Sequence, residues 1–160
     1  QLEIARILKK SRKLKPANIR NLRISLTKKN KIILFLFDPD PISKSMESGY
    51  NSNSIINYLK TFIDKKHTDC FFIFRPHPRQ NNKNVKEMLK KILVNCKWKV
   101  DYTSDVSTLI ALSDEVWGST TILLIAALKL KKKILSFQIN RNKLGIESSN
   151  PYIEPFVIDK

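Results

Sequence analysis

Ile32-Ile33-Leu34-Phe35-Leu36-Phe37 runs straight into Asp38-Pro39-Asp40-Pro41. An unbroken apolar run has no polar face to offer water, which is the pattern of a strand covered on both sides in a parallel sheet. The prolines end any ladder, because each lacks a backbone N–H. The pattern recurs downstream: Phe71-Phe72-Ile73-Phe74 is a second buried strand, and it runs into Arg75-Pro76-His77-Pro78-Arg79. Between the two, Ser52 or Asn53 can cap a helix that carries Ile55, Ile56, Leu59, Phe62 and Ile63 on one face.

The alternation continues outward. Residues 84–95 predict a helix with Val85, Met88, Leu89, Ile92 and Leu93 inward, and residues 98–102 a short strand. A short helix over 106–112 precedes the strand Glu115-Val116-Trp117, which leads into Gly118-Ser119-Thr120-Thr121. An apolar helix over 122–130, the strand Ile134-Leu135-Ser136-Phe137 and an edge strand Phe156-Val157-Ile158 complete the pattern. Strands alternating with helices at this spacing imply right-handed crossovers. The expectation is a doubly wound α/β domain over residues 31–160, with a mostly parallel sheet of five or six strands and helices on both faces. Residues 1–30 read as a basic N-terminal helix, ended by Pro16, followed by a linker or irregular crossing over 17–27.

Composition narrows the function classes. The 160 residues are 42% hydrophobic and 28% charged, which is globular composition for one domain. Only three glycines exclude a P-loop or a dinucleotide fingerprint, each of which needs several close together. Two cysteines, Cys70 and Cys96, make neither a disulfide scaffold nor a cysteine-based zinc site and read as small buried groups. No stretch reaches the ~20 apolar residues of a membrane span. The first residue is Gln1 rather than Met, which suggests a piece of a longer chain.

The net charge of +16 points to anionic partners, and it is unevenly spread. Residues 1–31 carry eleven basic side chains against one acid, Glu3. Such a basic amphipathic segment suits an anionic membrane surface, or is a solvated face reflecting a Lys- and Asn-rich composition. Nucleic acid is disfavoured as a partner. Only seven of thirty basic residues are Arg, and no aromatic residue lies before Phe35 to stack on a base.

In a doubly wound sheet ligands bind beyond the carboxyl ends of the strands. Three loops lie there: 38–50, 75–80 and 118–121. In the second, two prolines hold His77 in extended backbone between Arg75 and Arg79, a rigid cationic loop suited to a phosphate or diphosphate. In the third, Gly118 allows close backbone approach, and the hydroxyls of Ser119, Thr120 and Thr121 precede a helix whose N-terminus favours anions. Asp38 and Asp40 read as turn residues, since their side chains need not converge. Asp105 reads as a helix cap, Asp114 and Glu115 as structural, His67 as exposed, and Glu147 as an acid able to hold a ribose hydroxyl.

Four segments together carry a resemblance. Arg75-Pro76-His77-Pro78 is followed by Asp105-Val106-Ser107-Thr108-Leu109-Ile110-Ala111-Leu112-Ser113-Asp114. Glu115-Val116-Trp117-Gly118-Ser119-Thr120-Thr121 and then Ala126-Ala127-Leu128-Lys129-Leu130-Lys131-Lys132-Lys133-Ile134-Leu135-Ser136 complete the order. It resembles the C-terminal, nucleotide-sugar-binding half of GT-B glycosyltransferases over about residues 30–140. It looks most like the bacterial capsule and surface-polysaccharide branch, including sialyltransferases and glycerophosphotransferases with a His-Pro motif and a Ser-Ser or Ser-Thr motif. The resemblance implies a Rossmann-like fold, with His77, Ser119 and Thr120 contacting the donor's phosphate. It also implies an N-terminal GT-B domain supplying the catalytic acid or base, without which this half performs no transfer. The layout further resembles the non-hydrolysing sugar-nucleotide epimerases.

The resulting expectation is a donor-binding domain in surface-polysaccharide synthesis. His77 acts on the leaving phosphate, and Arg75, Arg79, Gly118, Ser119, Thr120, Thr121 and Glu147 bind the substrate. No metal and no cofactor beyond a nucleotide sugar of CMP, CDP or UDP type is called for, because cationic side chains and a helix dipole would take a metal's part. The location would be cytoplasmic, peripheral on the inner membrane face through residues 1–31. The rivals are a non-catalytic nucleotide- or phosphate-binding module, the epimerase-like domain, and a basic nucleic-acid-binding protein.

Overall fold

The apolar run from Ile32 sits at the centre of the sheet it predicts. In the computed structural model, which describes residues 1–28, 30–39, 52–67, 69–139 and 150–159, β1 (Lys31–Leu36) pairs in parallel with β2 (Cys70–Arg75) and β4 (Glu115–Gly118). Beyond them lie β3 (Lys97–Val100), β5 (Lys133–Gln138) and β6 (Val157–Asp159). The six strands run in the order β3-β2-β1-β4-β5-β6, and every described pairing is parallel. This is the doubly wound, Rossmann-like architecture, and its strand order reverses direction between β1 and β4.

Side chains alternate across β1, so each face feeds its own core. Ile33, Phe35 and Phe37 join Phe72, Phe74, Trp117 and Phe137 under Ile56 and Leu59 of α3 (Ser52–Lys66) and Leu89 of α4 (Asn82–Ile92). Ile32, Leu34 and Leu36 join Ile73, Val116 and Ile134 under Ile110 of α5 (Val106–Leu112) and Leu124 and Ala126 of α6 (Leu123–Lys129). Each large apolar side chain buried this way contributes about 1.5–3 kcal/mol. Aromatic rings fill the first core: Phe35, Phe74, Trp117 and Phe137 meet neighbours at centroid separations of 5–6 Å, favourable beyond their area alone.

The N-terminal segment departs from expectation. Residues 17–27, read as a linker, are mostly helix: α1 (Leu2–Arg12) is followed by α2 (Pro16–Leu26). Pro16 opens α2 rather than merely ending α1, because in the first helical turn an N–H would have no partner anyway. Ile7 of α1 is 1% exposed and belongs to the second core. Part of the segment's charge is structural. Lys10 pairs with Asp105, and Arg23 pairs with Asp114 at 2.6 Å while donating to the Leu112 carbonyl at 2.9 Å. Asp114 in turn accepts from the Ile32 N–H at 2.8 Å, so α2 is tied to the amino ends of β1 and β4.

The turn from α6 to β5 is made by a non-glycine residue in the left-handed region, Lys131 at φ 59°. Glycine normally occupies that position after a helix. Lys132 follows and donates to the carbonyls of Ala111 and Ser113 at 2.9 and 2.7 Å, closing the end of α5.

Candidate functional site

The register of the sheet aligns the loops that the sequence singles out. Leu36 of β1 pairs with Arg75 of β2 on one side and with Gly118 of β4 on the other. Arg75, Leu36 and Gly118 therefore form one row across three neighbouring strands. His77, Asp38 and Thr120 each lie two residues beyond that row. With strands ~4.8 Å apart, the outer two positions are about 10 Å from each other across the switch point.

The histidine loop is held by its own hydrogen bonds. The His77 N–H donates to Gln80 Oε1 at 2.9 Å, and the Gln80 N–H returns a bond to the His77 carbonyl at 2.8 Å. Gln80 Nε2 donates to Ser52 Oγ at 2.8 Å, anchoring the loop to the start of α3. The Arg79 N–H donates to His77 Nδ1 at 3.2 Å. With Nδ1 accepting, the neutral imidazole carries its proton on Nε2, which is then a hydrogen-bond donor.

The two arginines differ. Arg75 is largely buried and donates to the Asp101 carbonyl at 3.2 Å, with the Asp101 carboxylate at 3.9 Å. Burial alone would raise the pKa of Asp101. Bonds from the Ser104 N–H, the Lys99 ammonium and the Ser104 hydroxyl overcome this and hold it at about 2. Asp101 thus fixes Arg75 as a standing positive charge behind the loop. Arg79 is exposed and makes no described ion pair.

The loop after β4 is packed against β1. A Cβ added to Gly118 would lie 3.0 Å from the Leu36 carbonyl oxygen and 3.3 Å from Thr121 Cγ2, so close approach requires glycine there. Ser119 is 1% exposed, and its hydroxyl has no hydrogen-bond partner among the described residues. Its carbonyl accepts from the Ser136 hydroxyl, and Gln138 Nε2 donates to Ser136 Oγ at 3.0 Å, so β5 braces the loop from the far side. The helix begins later than its sequence suggests. α6 starts at Leu123, whose N–H reaches Thr121 Oγ1 at 3.4 Å, so Ser119 and Thr120 precede the helix by several residues instead of capping it.

Asp38 is the residue that sequence reasoning passed over. Its Oδ2 accepts from both the Thr120 N–H at 2.8 Å and the Thr120 hydroxyl at 2.7 Å, spanning the gap between β1 and β4. The signal for it was position: the residue just past a central strand, beside the strand where the order reverses. Residues 40–51, with Asp40, Ser45, Ser48 and Gly49, and residues 140–149, with Glu147, lie outside the described residues.

The charged residues expected to be structural are so: Asp114 and Glu115 lie at the opposite, amino end of the strands, and Asp105 lies at the start of α5. Asp105 caps α5, accepting from the Ser107 N–H at 2.9 Å. Glu115 is 1% exposed, pairs with Lys31 and with Lys133, and accepts from Trp117 Nε1 at 2.8 Å. His67 corrects an expectation: it is not exposed but half-buried, stacked on Phe62 at 5.1 Å and edge-on to Trp117 at 4.9 Å. Burial lowers its pKa. Cys70 is buried and Cys96 half-buried. Among the described residues no group of three His, Cys, Asp or Glu side chains could hold a metal ion, and no helix is long and apolar enough to cross a membrane.

No protein-family model matches the chain, and no curated protein matches it. Its fold is similar to solved structures. The wall teichoic acid polymerase TagF matches with a TM-score of 0.58 at 18% identity, over 87% of this chain and 33% of that one. TagF soaked with CDPG matches with a TM-score of 0.54 at 16% identity, over 86% and 31%. A glycosyltransferase from Rickettsia africae ESF-5 matches with a TM-score of 0.53 at 15% identity, over 87% and 35%. The chain therefore spans about a third of the length of these structures. Its fold is that of one Rossmann-like half of a GT-B glycosyltransferase.

Proposed function

We propose that this chain is the donor-binding half of a GT-B-type glycosyltransferase and holds the nucleotide phosphate of an activated sugar for surface-polysaccharide synthesis. The observation that carries the reading is the alignment of His77, Asp38 and Thr120 two residues beyond one row of the sheet, at its switch point. A cationic histidine loop and a hydroxyl-bearing loop leave the same edge of the sheet on either side of β1, the placement that suits a phosphate or diphosphate.

The mechanism is electrostatic. As the bond to the nucleotide phosphate breaks, negative charge grows on its oxygens. His77 Nε2–H and the Arg79 guanidinium stabilise that charge from the β2 side, with the buried Arg75 adding a fixed positive field behind them. Ser119, Thr120 and Thr121 serve the phosphate from the β4 side, with Gly118 letting the backbone come close. Glu147 remains assigned to a ribose hydroxyl. Transfer itself needs an acid or base from a second domain, so this half alone binds the donor without turning it over. A cytoplasmic location at the inner membrane face agrees with the basic α1–α2 surface, where Leu22 and Ile24 are exposed among Arg20, Lys15 and Lys28.

Calorimetry of the chain against CMP, CDP and UDP tests the reading. At least one should bind, and His77→Ala should weaken it by about tenfold or more, the scale of one charge-assisted hydrogen bond. Absence of binding to all three, or affinity unchanged in His77→Ala, refutes it.

A further inference from the structure

We propose that Asp38 is an internal stand-in for the ligand's phosphate, and that a phosphoryl oxygen enters the site by displacing its carboxylate from Thr120. The inference rests on the proposed reading of this crevice as a nucleotide-phosphate site. One carboxylate oxygen takes two donors of a single residue, the Thr120 N–H at 2.8 Å and its hydroxyl at 2.7 Å. An N–H and an O–H converging on one anionic oxygen are the bonds a phosphoryl oxygen would make. The loop after β4 therefore already holds an oxyanion, but one supplied by the chain itself.

Two further observations favour exchange over a permanent latch. First, Asp38 makes no ion pair with Lys, Arg or His among the described residues. Its two bonds from Thr120 come from neutral donors, and an incoming phosphate restores both one for one. Second, the neighbouring Ser119 hydroxyl is buried without a partner among the described residues. A buried polar group left unpaired is costly, and a phosphate brings additional acceptor oxygens to this loop. Asp38 is only half-buried, and its neighbour Pro39 is exposed.

Two anions cannot share the Thr120 donors. The chain binds phosphate only in the fraction of molecules whose Asp38 has swung away, and its apparent affinity is lowered by that fraction. Thr120 thus acts on the ligand only after Asp38 yields, whereas His77 is available throughout. Asp38 sets one threshold for occupancy, lowering the apparent affinity of every anion at this loop by the same factor.

The test is a calorimetric titration of the whole chain with CDP, UDP and inorganic pyrophosphate, comparing wild type, Asp38→Asn, Thr120→Val and His77→Ala. Asp38→Asn keeps an acceptor for Thr120, so the loop stays closed, but it removes the competing charge. It should bind all ligands that wild type binds about tenfold more tightly, while Thr120→Val and His77→Ala weaken them. Tighter binding, or binding seen in Asp38→Asn alone, supports the proposal. Unchanged or weaker binding in Asp38→Asn overturns it while leaving the site reading intact. An unaltered affinity in His77→Ala overturns the site reading instead, and no binding by any variant overturns both. Carbon-detected NMR of wild type gives an independent readout. The Asp38 carboxyl resonance should move toward its solvent-exposed value as ligand is added, and a resonance unmoved at saturation contradicts displacement.

Discussion

Two carboxylates sit at opposite ends of the seam between β1 and β4, and their partners are of opposite kinds. Glu115, at the amino end, is buried between the ammonium groups of Lys31 and Lys133 and hydrogen-bonded by Trp117 Nε1. Burial pushes its pKa up, but the bonds from Lys31, Trp117 and Lys133 outweigh that and leave it below the usual value. Asp38, at the carboxyl end, is held by Thr120 alone among the described hydrogen bonds. A buried charge neutralised by cations is committed to the fold, since removing either side strands the other. A half-buried carboxylate held by neutral donors can be replaced by another anion. The amino end of the seam thus carries a carboxylate committed to the fold, and the carboxyl end carries the one proposed above to be exchangeable.

The largest effect that can break this comparison is on folding. Glu115→Ala should destabilise the chain by about 3 kcal/mol in urea unfolding, whereas Asp38→Ala should cost about 1 kcal/mol. Equal losses at both ends would remove the distinction. Next, Gly118→Ala should cost about 2 kcal/mol, because its methyl group would meet the Leu36 carbonyl at 3.0 Å. A Gly118→Ala protein as stable as wild type would mean that the seam can open without strain.

A smaller effect is expected in acid. The pKa of Asp101 is about 2 in the folded chain against an ordinary 3.8. A carboxylate depressed by folding contributes stability that is present above about pH 4 and lost as pH falls toward 2. Asp101→Asn should therefore flatten the acid limb of the stability curve in that window by about 1–2 kcal/mol, and should also loosen Arg75 behind the histidine loop. An acid limb identical to wild type would separate Asp101 from the site's electrostatics. The smallest change is a gain: Lys131→Gly should stabilise the chain by about 0.5–1 kcal/mol, since φ 59° strains a side chain but not glycine. Thermal unfolding reads this directly, and a loss of stability would show that the Lys131 side chain supplies more than its backbone strain removes.

Much of this architecture was legible because buried parallel strands cannot disguise themselves. The runs at Ile32 and Phe71 have no polar face, and both end in proline, so strand, direction and loop follow from one pattern. The N-terminal region was less legible. Pro16 is compatible with stopping one helix or opening the next, and only the packing of Ile7 and Arg23 on the second face distinguishes them. His67 was misread for a related reason: local sequence gives a helix end, whereas its burial depends on Trp117, fifty residues away in the chain. At the candidate site, the two prolines flanking His77 mark its loop in the sequence, because a local constraint produces a local signal. The bond from Thr120 to Asp38 spans 82 residues and becomes visible only when β1 and β4 are known to be neighbours.

The proposed phosphate site lies at the carboxyl end of this seam, away from its amino end. A titration of the isotope-labelled chain with CDP or UDP, followed residue by residue by NMR, tests it most directly. The backbone amides of His77, Arg79, Gly118 and Thr120 should shift together with one dissociation constant while those of Lys31, Glu115 and Lys133 stay fixed. Shifts centred on the amino-end residues, or no shifts at saturating nucleotide, would contradict it.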